Sequence, residues 1–241
     1  MTVRLLQVRS RPRMQRQEQA VFLDRCGLRP DELLVTNVLE DALHAGLLDD
    51  VDALLIGGAG AYSVTQTYTW TQSLIDVVQA CVDQAKPLFG SCWGHQFIAR
   101  ALGGVVIRDD ERGEMGCLPV RLTDAGHADP LFETFPAEFY ANMGHQDRVA
   151  VLPAGATELA ESDIAPIQAF RIDGLPIYGT QFHSELNAEA ERERLVEYRS
   201  HYPSMQDDTV FESVVAGVRD TPEVDGLLKR FLELYVLRTG V

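Results

Sequence analysis

The chain has 241 residues, of which 46% are hydrophobic and 24% are charged, proportions typical of a globular protein with a large apolar core. Its formal net charge of -15 argues against the basic face that a nucleic-acid backbone requires, so we expect no nucleic-acid partner. The chain has neither a signal-like start nor a run near the roughly 18 apolar residues of a membrane span, and we predict a cytoplasmic protein without membrane contact.

The first part of the chain alternates strand-like and helix-like patterns. We predict strands over 3–8, 33–37, 52–58 and 87–91, and helices over 14–26, near 39–47 and in the segment TQSLIDVVQACVDQAKP. This alternation indicates an α/β fold with a mostly parallel sheet and helices on both faces. Cys26 ends the first helix and Cys81 lies on the apolar stripe of another, so we assign both thiols to the core.

Beyond residue 103 the pattern changes to strands joined by turns, and from residue 187 it becomes helical again. Asn187 is predicted to cap a helix, and Thr221 with Pro222 to open a final one. No repeat, low-complexity segment or linker interrupts the chain. We therefore predict a single domain over 1–241, with a helical C-terminal extension over about 187–241.

The segment PLFGSCWGHQ sets Cys92 between Gly90 and Gly94, after an apolar strand and before a helix. A sharp strand-to-helix turn exposes the side chain at its apex and crowds the positions two residues away, where glycine is required. The helix N-terminus stabilises a thiolate, and the next backbone N–H, that of Trp93, points to where an oxyanion would form. The alternative is a packed thiol, because free cysteine is among the most buried residue types.

A cysteine nucleophile needs a base, which in turn needs a group to orient it. Two histidines are followed two residues later by a carboxylate: His183 by Glu185, and His145 by Asp147. Residues i and i+2 of an extended segment share a face, so either carboxylate could hold its imidazole. Spacing leaves both pairs open. His95, on the helix after the cysteine, is assigned to packing or to shaping the pocket.

Together, GSCWGHQ and the downstream QFHSE resemble the class I glutamine amidotransferases, the Cys-His-Glu glutaminases. The resemblance runs from about residue 50 to 186 and includes LLIGG before the cysteine and EMGCLPVRLT after it. The segment MGHQDRV is similar to the GMP synthase-like amidotransferase branch. The resemblance implies a flavodoxin-like central sheet with an antiparallel excursion.

By this resemblance Cys92 is the nucleophile, His183 the base and Glu185 the group that orients it. The same alignment implies an oxyanion hole formed by the backbone N–H groups of Gly58 and Trp93. It also implies that the glutamine pocket is bordered by Gln96, Gly144, His145, Gln146 and Asp147. The resemblance thus favours His183 over His145 as the base.

The implied activity is that of a cysteine-dependent enzyme releasing ammonia from the glutamine side-chain amide through a thioester. It implies neither a metal nor a cofactor, and no HExxH or comparable ligand spacing occurs. No acceptor-activating module follows the matched segment, so we expect any synthetase to be a separate partner.

Two alternatives stay open. One is a standalone hydrolase of another γ-glutamyl compound, and the other is a non-catalytic partner or regulatory subunit on the same fold. The sequence does not decide between a monomer and a homo-oligomer, and it names neither the ammonia acceptor nor the true substrate.

Arg9, Arg11 and Arg13 follow the first predicted strand, at the end where open α/β sheets bind ligands. Three guanidinium groups there could recognise an anionic part of a substrate or dock an acidic partner surface. The alternative, which we favour, is that they are solvated or pair with the chain's own carboxylates.

Overall fold

A computed structural model describes residues 1–237 of the chain. Strands β1 to β11 are, in chain order, Val3–Gln7, Leu33–Asn37, Ala53–Ile56, Leu88–Ser91, Val105–Arg108, Glu114–Leu122, Glu138–His145, Asp147–Val151, Ala156–Glu161, Ala169–Ile172 and Ile177–Thr180. Helices α1 to α8 are Pro12–Cys26, Thr71–Asp83, Trp93–Ala101, Asp124–His127, Ala188–Tyr198, Asp208–Gly217, Pro222–Asp225 and Leu227–Leu232. A π-helical segment, Glu233–Leu237, follows α8.

Within residues 1–237, nine strands form one sheet in the order β2-β1-β3-β4-β11-β10-β9-β6-β7. The strands from β2 to β11 in this order are parallel, and their order is that of flavodoxin-like sheets. From β11 onward, neighbouring strands pair antiparallel. The predicted flavodoxin-like fold with an antiparallel excursion is therefore confirmed.

Helices cover both faces of the parallel strands, as successive residues of β1 illustrate. Leu5 packs in the cluster that contains the apolar faces of α1 and α8. The next residue, Leu6, packs in the cluster that contains α2 and α3. Both side chains are fully buried, since neighbouring residues of a strand point to opposite faces.

The parallel strands β1, β3, β4 and β11 end at one edge of the sheet. Gly58 follows β3, Cys92 follows β4 and His183 follows β11. Ligands of open α/β sheets bind outside this carboxyl edge. The topology thus brings together residues that lie up to 125 positions apart in the chain (58 to 183).

The predicted helix near 39–47 is wrong. Hydrogen bonds close a turn after β2, in which the Glu40 and Asp41 N–H groups donate to the carbonyl oxygen of Asn37. The carboxylate of Asp41 in turn accepts the N–H of Asn37 at 2.7 Å. A side chain that bonds nearby backbone competes with helix formation, and only the short 3-10 segment Ala45–Leu48 follows.

The C-terminal extension is helical through Leu237, and residues 238–241 lie outside the described residues. Asn187 caps α5 as predicted, because its side chain accepts the N–H of Ala190 at 2.8 Å. The predicted final helix is divided at Gly226 into α7 and α8, where glycine weakens a helix. That residues 1–241 form one domain stays a prediction. Among residues 1–237 no helix has the length and apolarity needed to cross a bilayer.

The arginines after β1 pair with carboxylates of the chain itself. Arg9 is only 2% exposed, and its guanidinium donates to Glu18 at 2.9 Å and to the Tyr198 hydroxyl at 3.0 Å. Arg11 and Arg13 form ion pairs with glutamates of α5. The alternative of internal pairing is confirmed for all three side chains.

Replacing Arg9 with methionine should destabilise the protein, because the buried carboxylate of Glu18 would lose its main counter-charge. Breaking a buried pair on one side lowers the free energy of unfolding by about 3 kcal/mol or more. Arg13→Gln is the matched control, since the Arg13 side chain is largely exposed and surface pairs contribute little. Urea denaturation followed by circular dichroism should show a lower midpoint for Arg9→Met alone, and equal midpoints would contradict this expectation.

Candidate active site

Cys92 occupies the sharp turn between β4 and α3. Its backbone has φ 50° and ψ -100°, a positive-φ conformation that residues with a side chain seldom adopt. Conformations of this kind persist where the surrounding structure imposes them, and they cluster at functional sites. The thiol is 6% exposed and faces a cavity.

The glycines on either side of Cys92 are required by contact with backbone. A Cβ on Gly94 would lie 2.2 Å from the carbonyl oxygen of Ile56, and one on Gly90 would lie 2.5 Å from the carbonyl carbon of Gly94. Neither neighbour is the movable end of a side chain. The turn predicted from the glycine spacing is therefore confirmed, while the role of its thiol stays a prediction.

His183 is the imidazole that the structure brings to the thiol. Its Nδ1 lies 3.0 Å from Glu185 Oε1, and the ring lines the same cavity as Cys92, with which it interacts electrostatically. The backbone N–H of His183 donates to the carbonyl of Asn142 at 2.9 Å, which ties this segment to β7. The three residues Cys92, His183 and Glu185 thus form one connected set.

The carboxylate of Glu185 is fully buried and surrounded by donors. Ser91 donates its hydroxyl at 2.5 Å, Arg194 donates at 2.8 Å, and the His183 ring lies on the same side as the arginine. Burial alone would raise the pKa of Glu185, but His183, Arg194 and Ser91 outweigh it and hold the pKa well below its usual range. Glu185 is therefore ionised at neutral pH.

This ionised carboxylate governs the protonation of His183. Burial by itself lowers the pKa of the imidazole, whereas the charges of Glu185 and Cys92 and the hydrogen bonds to both raise it well above its ordinary value. An imidazole with a raised pKa holds its proton at neutral pH. A protonated imidazole beside a cysteine is the arrangement that cysteine nucleophiles use, and its function in this chain stays a prediction.

The other predicted pair does not form through its side chains. His145 Nε2 lies 3.0 Å from the carboxylate of Glu114, and its Nδ1 lies 3.1 Å from the backbone oxygen of Asp147. The Asp147 carboxylate instead accepts the Ser63 hydroxyl at 2.6 Å and the Val64 N–H at 2.8 Å. The suggestion that Asp147 orients His145 is wrong, because the chain turns between β7 and β8 and the two side chains do not share a face.

One cavity of about 280 Å³ contains most of the predicted site. Its walls include all of the following predicted residues: Cys92, Trp93, Gln96, Gly144, His145, Gln146, Asp147 and His183. Glu185 lies behind the His183 ring. Gly58 borders the site as well, since a Cβ built on it would lie 3.4 Å from Cε1 of His183.

Trp93 and Gln96, which were predicted to contact substrate, both lie in the first turn of α3. The N–H of Trp93 stands at the first turn of α3, where backbone donors have no partner within the helix. Gln96 donates to the backbone oxygen of Asp147 at 2.6 Å and to the side-chain oxygen of Gln181 at 3.1 Å. Gln96 therefore fixes one wall of the cavity, and its contact with substrate stays a prediction.

Sequence reasoning missed the contribution of α5 to the site. Glu191, Arg194 and Tyr198 are buried on one face of this helix, and Arg194 reaches Glu185. Their spacing of three and four residues, shared with the apolar Leu195, was the available signal. Charged residues on a buried helical stripe indicate buried polar partners. Ser91 was missed for another reason. It directly precedes Cys92, and the motif was interpreted through the cysteine alone.

Comparison with known proteins finds a matching family and several relatives. The sequence profile of the family described as glutamine amidotransferase class-I matches residues 28–200. The chain is 36% identical over 154 residues to a glutamine-hydrolyzing GMP synthase subunit from Archaeoglobus fulgidus, spanning 63% of this chain and 75% of that protein. It is 39% identical over 116 residues to the GMP synthase subunit of the same name from Methanocaldococcus jannaschii, spanning 46% of this chain and 60% of that one.

Solved structures share the fold. A glutamine amido transferase from Methylobacillus flagellatus superposes with a TM-score of 0.73 at 21% sequence identity, covering 96% of this chain and 94% of that chain. At this identity the likeness concerns the fold alone.

Gly94→Ala should prevent or strongly weaken folding, because its methyl group would overlap the backbone oxygen of Ile56. Overpacking typically lowers the free energy of unfolding by about 1–3 kcal/mol, and contact with rigid backbone should place this variant at the upper end. Gly217→Ala is the matched control, since a Cβ there meets nothing within 4 Å. Urea midpoints should fall for Gly94→Ala and remain near wild type for Gly217→Ala. A normal midpoint for Gly94→Ala would show that the turn is not constrained in this way.

Proposed function

Since this chain belongs to the class I glutamine amidotransferase family, we propose that it is a cytoplasmic glutaminase that releases ammonia through a thioester on Cys92. One observation carries the proposal: the thiol at the apex of a strained turn interacts with His183, whose other nitrogen is held by Glu185. This is the order of nucleophile, base and orienting group that acyl transfer requires.

Formation of the thioester begins from the Cys92 thiolate and the His183 imidazolium. The sulfur attacks the carbonyl carbon of the glutamine side-chain amide, and the carbonyl oxygen takes the negative charge. The backbone N–H groups of Gly58 and Trp93 stabilise that oxygen in the proposed oxyanion hole. His183 then gives its proton to the amide nitrogen, the carbon–nitrogen bond breaks, and ammonia leaves.

Hydrolysis of the thioester reverses the role of the imidazole. Neutral His183 takes a proton from water as the water oxygen adds to the thioester carbon. Collapse of the adduct breaks the carbon–sulfur bond, releases glutamate and restores the thiolate beside the imidazolium. Glu185 remains ionised throughout and stabilises the charged ring at both stages.

The amino-acid end of the substrate is proposed to lie against β7, β8 and the start of α3. There the cavity is bordered by Gln96, Gly144, His145, Gln146 and Asp147. Arg108 and Asp147 face each other in the register of β5 and β8, and both line the cavity. Their opposite charges complement the α-carboxylate and α-ammonium groups of glutamine.

A separate synthetase is the proposed consumer of the ammonia. The relatives that support this step are named as single subunits of GMP synthase, and the matched region spans about three quarters of one of them. The name implies a second subunit in those proteins. We propose that this chain likewise supplies ammonia to a separate synthetase subunit. The ammonia acceptor is not assigned.

A standalone γ-glutamyl hydrolase is the second candidate, and the aromatic wall of the cavity favours it. Tyr62 and Tyr68 line the cavity and pack edge to face, with Trp70 stacked on Tyr68 and in edge contact with Trp93. Aromatic faces suit an organic leaving group better than they suit ammonia. An assay with glutamine and a panel of γ-glutamyl compounds, with and without candidate synthetases, separates the two candidates.

Cys92→Ser should abolish ammonia release from glutamine and protect the protein from thiol-directed inactivation, because the substitution removes the thiolate but little volume. Cys117→Ser is the matched control, since Cys117 is a half-buried free cysteine on β6. It should retain activity. Near wild-type turnover by the folded Cys92→Ser protein would exclude the covalent mechanism.

The histidines should differ in which kinetic constant they change. His183→Ala is expected to lower kcat by about 10²–10⁴-fold, as loss of a general base does. Glu185→Gln should lower kcat less, because an amide can still accept a hydrogen bond from the imidazole. His145→Ala should mainly raise KM. Steady-state ammonia release measures all three, and a severe kcat loss in His145→Ala with a mild one in His183→Ala would reverse the assignment.

A further inference from the structure

Three polar atoms converge beside Gly144, on the side where another residue would carry its side chain. A methyl group placed on Gly144 would lie 3.7 Å from Glu191 Oε1, 3.8 Å from His183 Nε2 and 4.0 Å from the Tyr202 hydroxyl. The thiol of Cys92 is also close, with Sγ 4.0 Å from the Gly144 carbonyl oxygen. We call the space bounded by these groups the Gly144 cup.

Glu191 is the member of the cup that the rest of the fold does not explain. Its side chain is 1% exposed, and its Oε2 has no hydrogen-bond partner among residues 1–237. A buried carboxyl group without a partner is unfavourable and rare in native proteins. Burial raises the pKa of Glu191, against the opposing charges of His183 and Arg194.

Tyr202 completes the cup with an oriented hydroxyl. It donates its proton to the carbonyl oxygen of Gly144 at 3.1 Å, so its lone pairs are available to accept a hydrogen bond. Tyr202 therefore presents an acceptor, while Glu191 Oε1 and His183 Nε2 face the same space and can each donate or accept. A molecule with several N–H or O–H donors and one heavy atom fits this set of partners.

We propose that the Gly144 cup holds the small molecule exchanged during turnover, first the departing ammonia and then the arriving water, with Glu191 and Tyr202 as its hydrogen-bond partners. This inference rests on the proposed glutaminase function. The same imidazole must give a proton to the leaving nitrogen and take one from water, so both molecules must pass beside Nε2 of His183. The cup is the polar space at that nitrogen.

Glycine at position 144 is required by this arrangement rather than by packing. The contacts of 3.7–4.0 Å around an added methyl group are ordinary van der Waals distances, and Gly144 does not have a positive φ. The fold should thus accept alanine. The methyl group would, however, project into the space beside His183 Nε2 that the exchanged molecule needs.

The kinetic test compares Gly144→Ala and Glu191→Gln with the control Gly217→Ala. Ammonia release should show kcat reduced at least about tenfold in Gly144→Ala, with KM nearly unchanged and the control like wild type. Glu191→Gln should also lower kcat, because an amide cannot change its protonation as a carboxyl group can when the two molecules exchange. Urea midpoints near that of wild type would show that the variants remain folded.

The outcomes separate this inference from the proposed function. If Cys92→Ser loses activity while Gly144→Ala and Glu191→Gln keep the wild-type kcat, the proposed glutaminase function stands. The proposal for the Gly144 cup would then be wrong. A rise in KM at constant kcat in these variants would indicate that the cup binds the amino-acid end of glutamine instead. That result would also contradict the proposed exchange of ammonia and water in the cup. A high-resolution crystal structure tests it without turnover: we expect an ordered water bound to Glu191 and His183, and an empty cup would contradict the inference.

Discussion

The burial of one ionised carboxylate, that of Glu185, is the constraint on which the site depends. An unpaired carboxylate could not remain charged in that position, and here three elements supply its partners. Ser91 comes from the end of β4, His183 from the segment after β11, and Arg194 from α5. Each partner stabilises the negative charge of Glu185, and the carboxylate in turn fixes the position of each partner. The geometry of the imidazole at the thiol follows from this mutual arrangement.

The same network extends away from the cavity and joins the site to the N-terminal part of the fold. Arg194 also approaches Glu18 of α1 at 3.5 Å, and Glu18 pairs with Arg9. Arg9 in turn donates to Tyr198 of α5. These alternating charges balance one another in a buried region, so removing any single member would leave another without compensation. Arg9, which follows the first strand and lines the cavity, therefore ties the N-terminal part of the fold to the site.

The sequence was sufficient for features that depend on local rules. Strand and helix periodicity predicted the parallel sheet, and the sterics of Gly90 and Gly94 predicted the turn at Cys92. Features that depend on tertiary contacts could not be predicted from the sequence. The pairing of His145 with Glu114 rather than Asp147 joins residues 31 positions apart, and spacing along one segment cannot reveal it. The prediction of a helix near 39–47 was wrong because a side chain in the turn after β2 competes for the backbone hydrogen bonds.

The helix α5 shows why the functional motif alone describes only part of the site. Glu191, Arg194 and Tyr198 follow one another at three- and four-residue intervals, so a single face of the helix presents all of them. Arg194 turns toward the ionised Glu185, whereas Glu191, three residues earlier, turns toward the Gly144 cup. One element thus contacts the carboxylate that holds the proposed base and also carries a group at the proposed exchange position. A rotation or register shift of α5 would disturb both together, which couples the chemistry at Cys92 to the packing of the C-terminal extension.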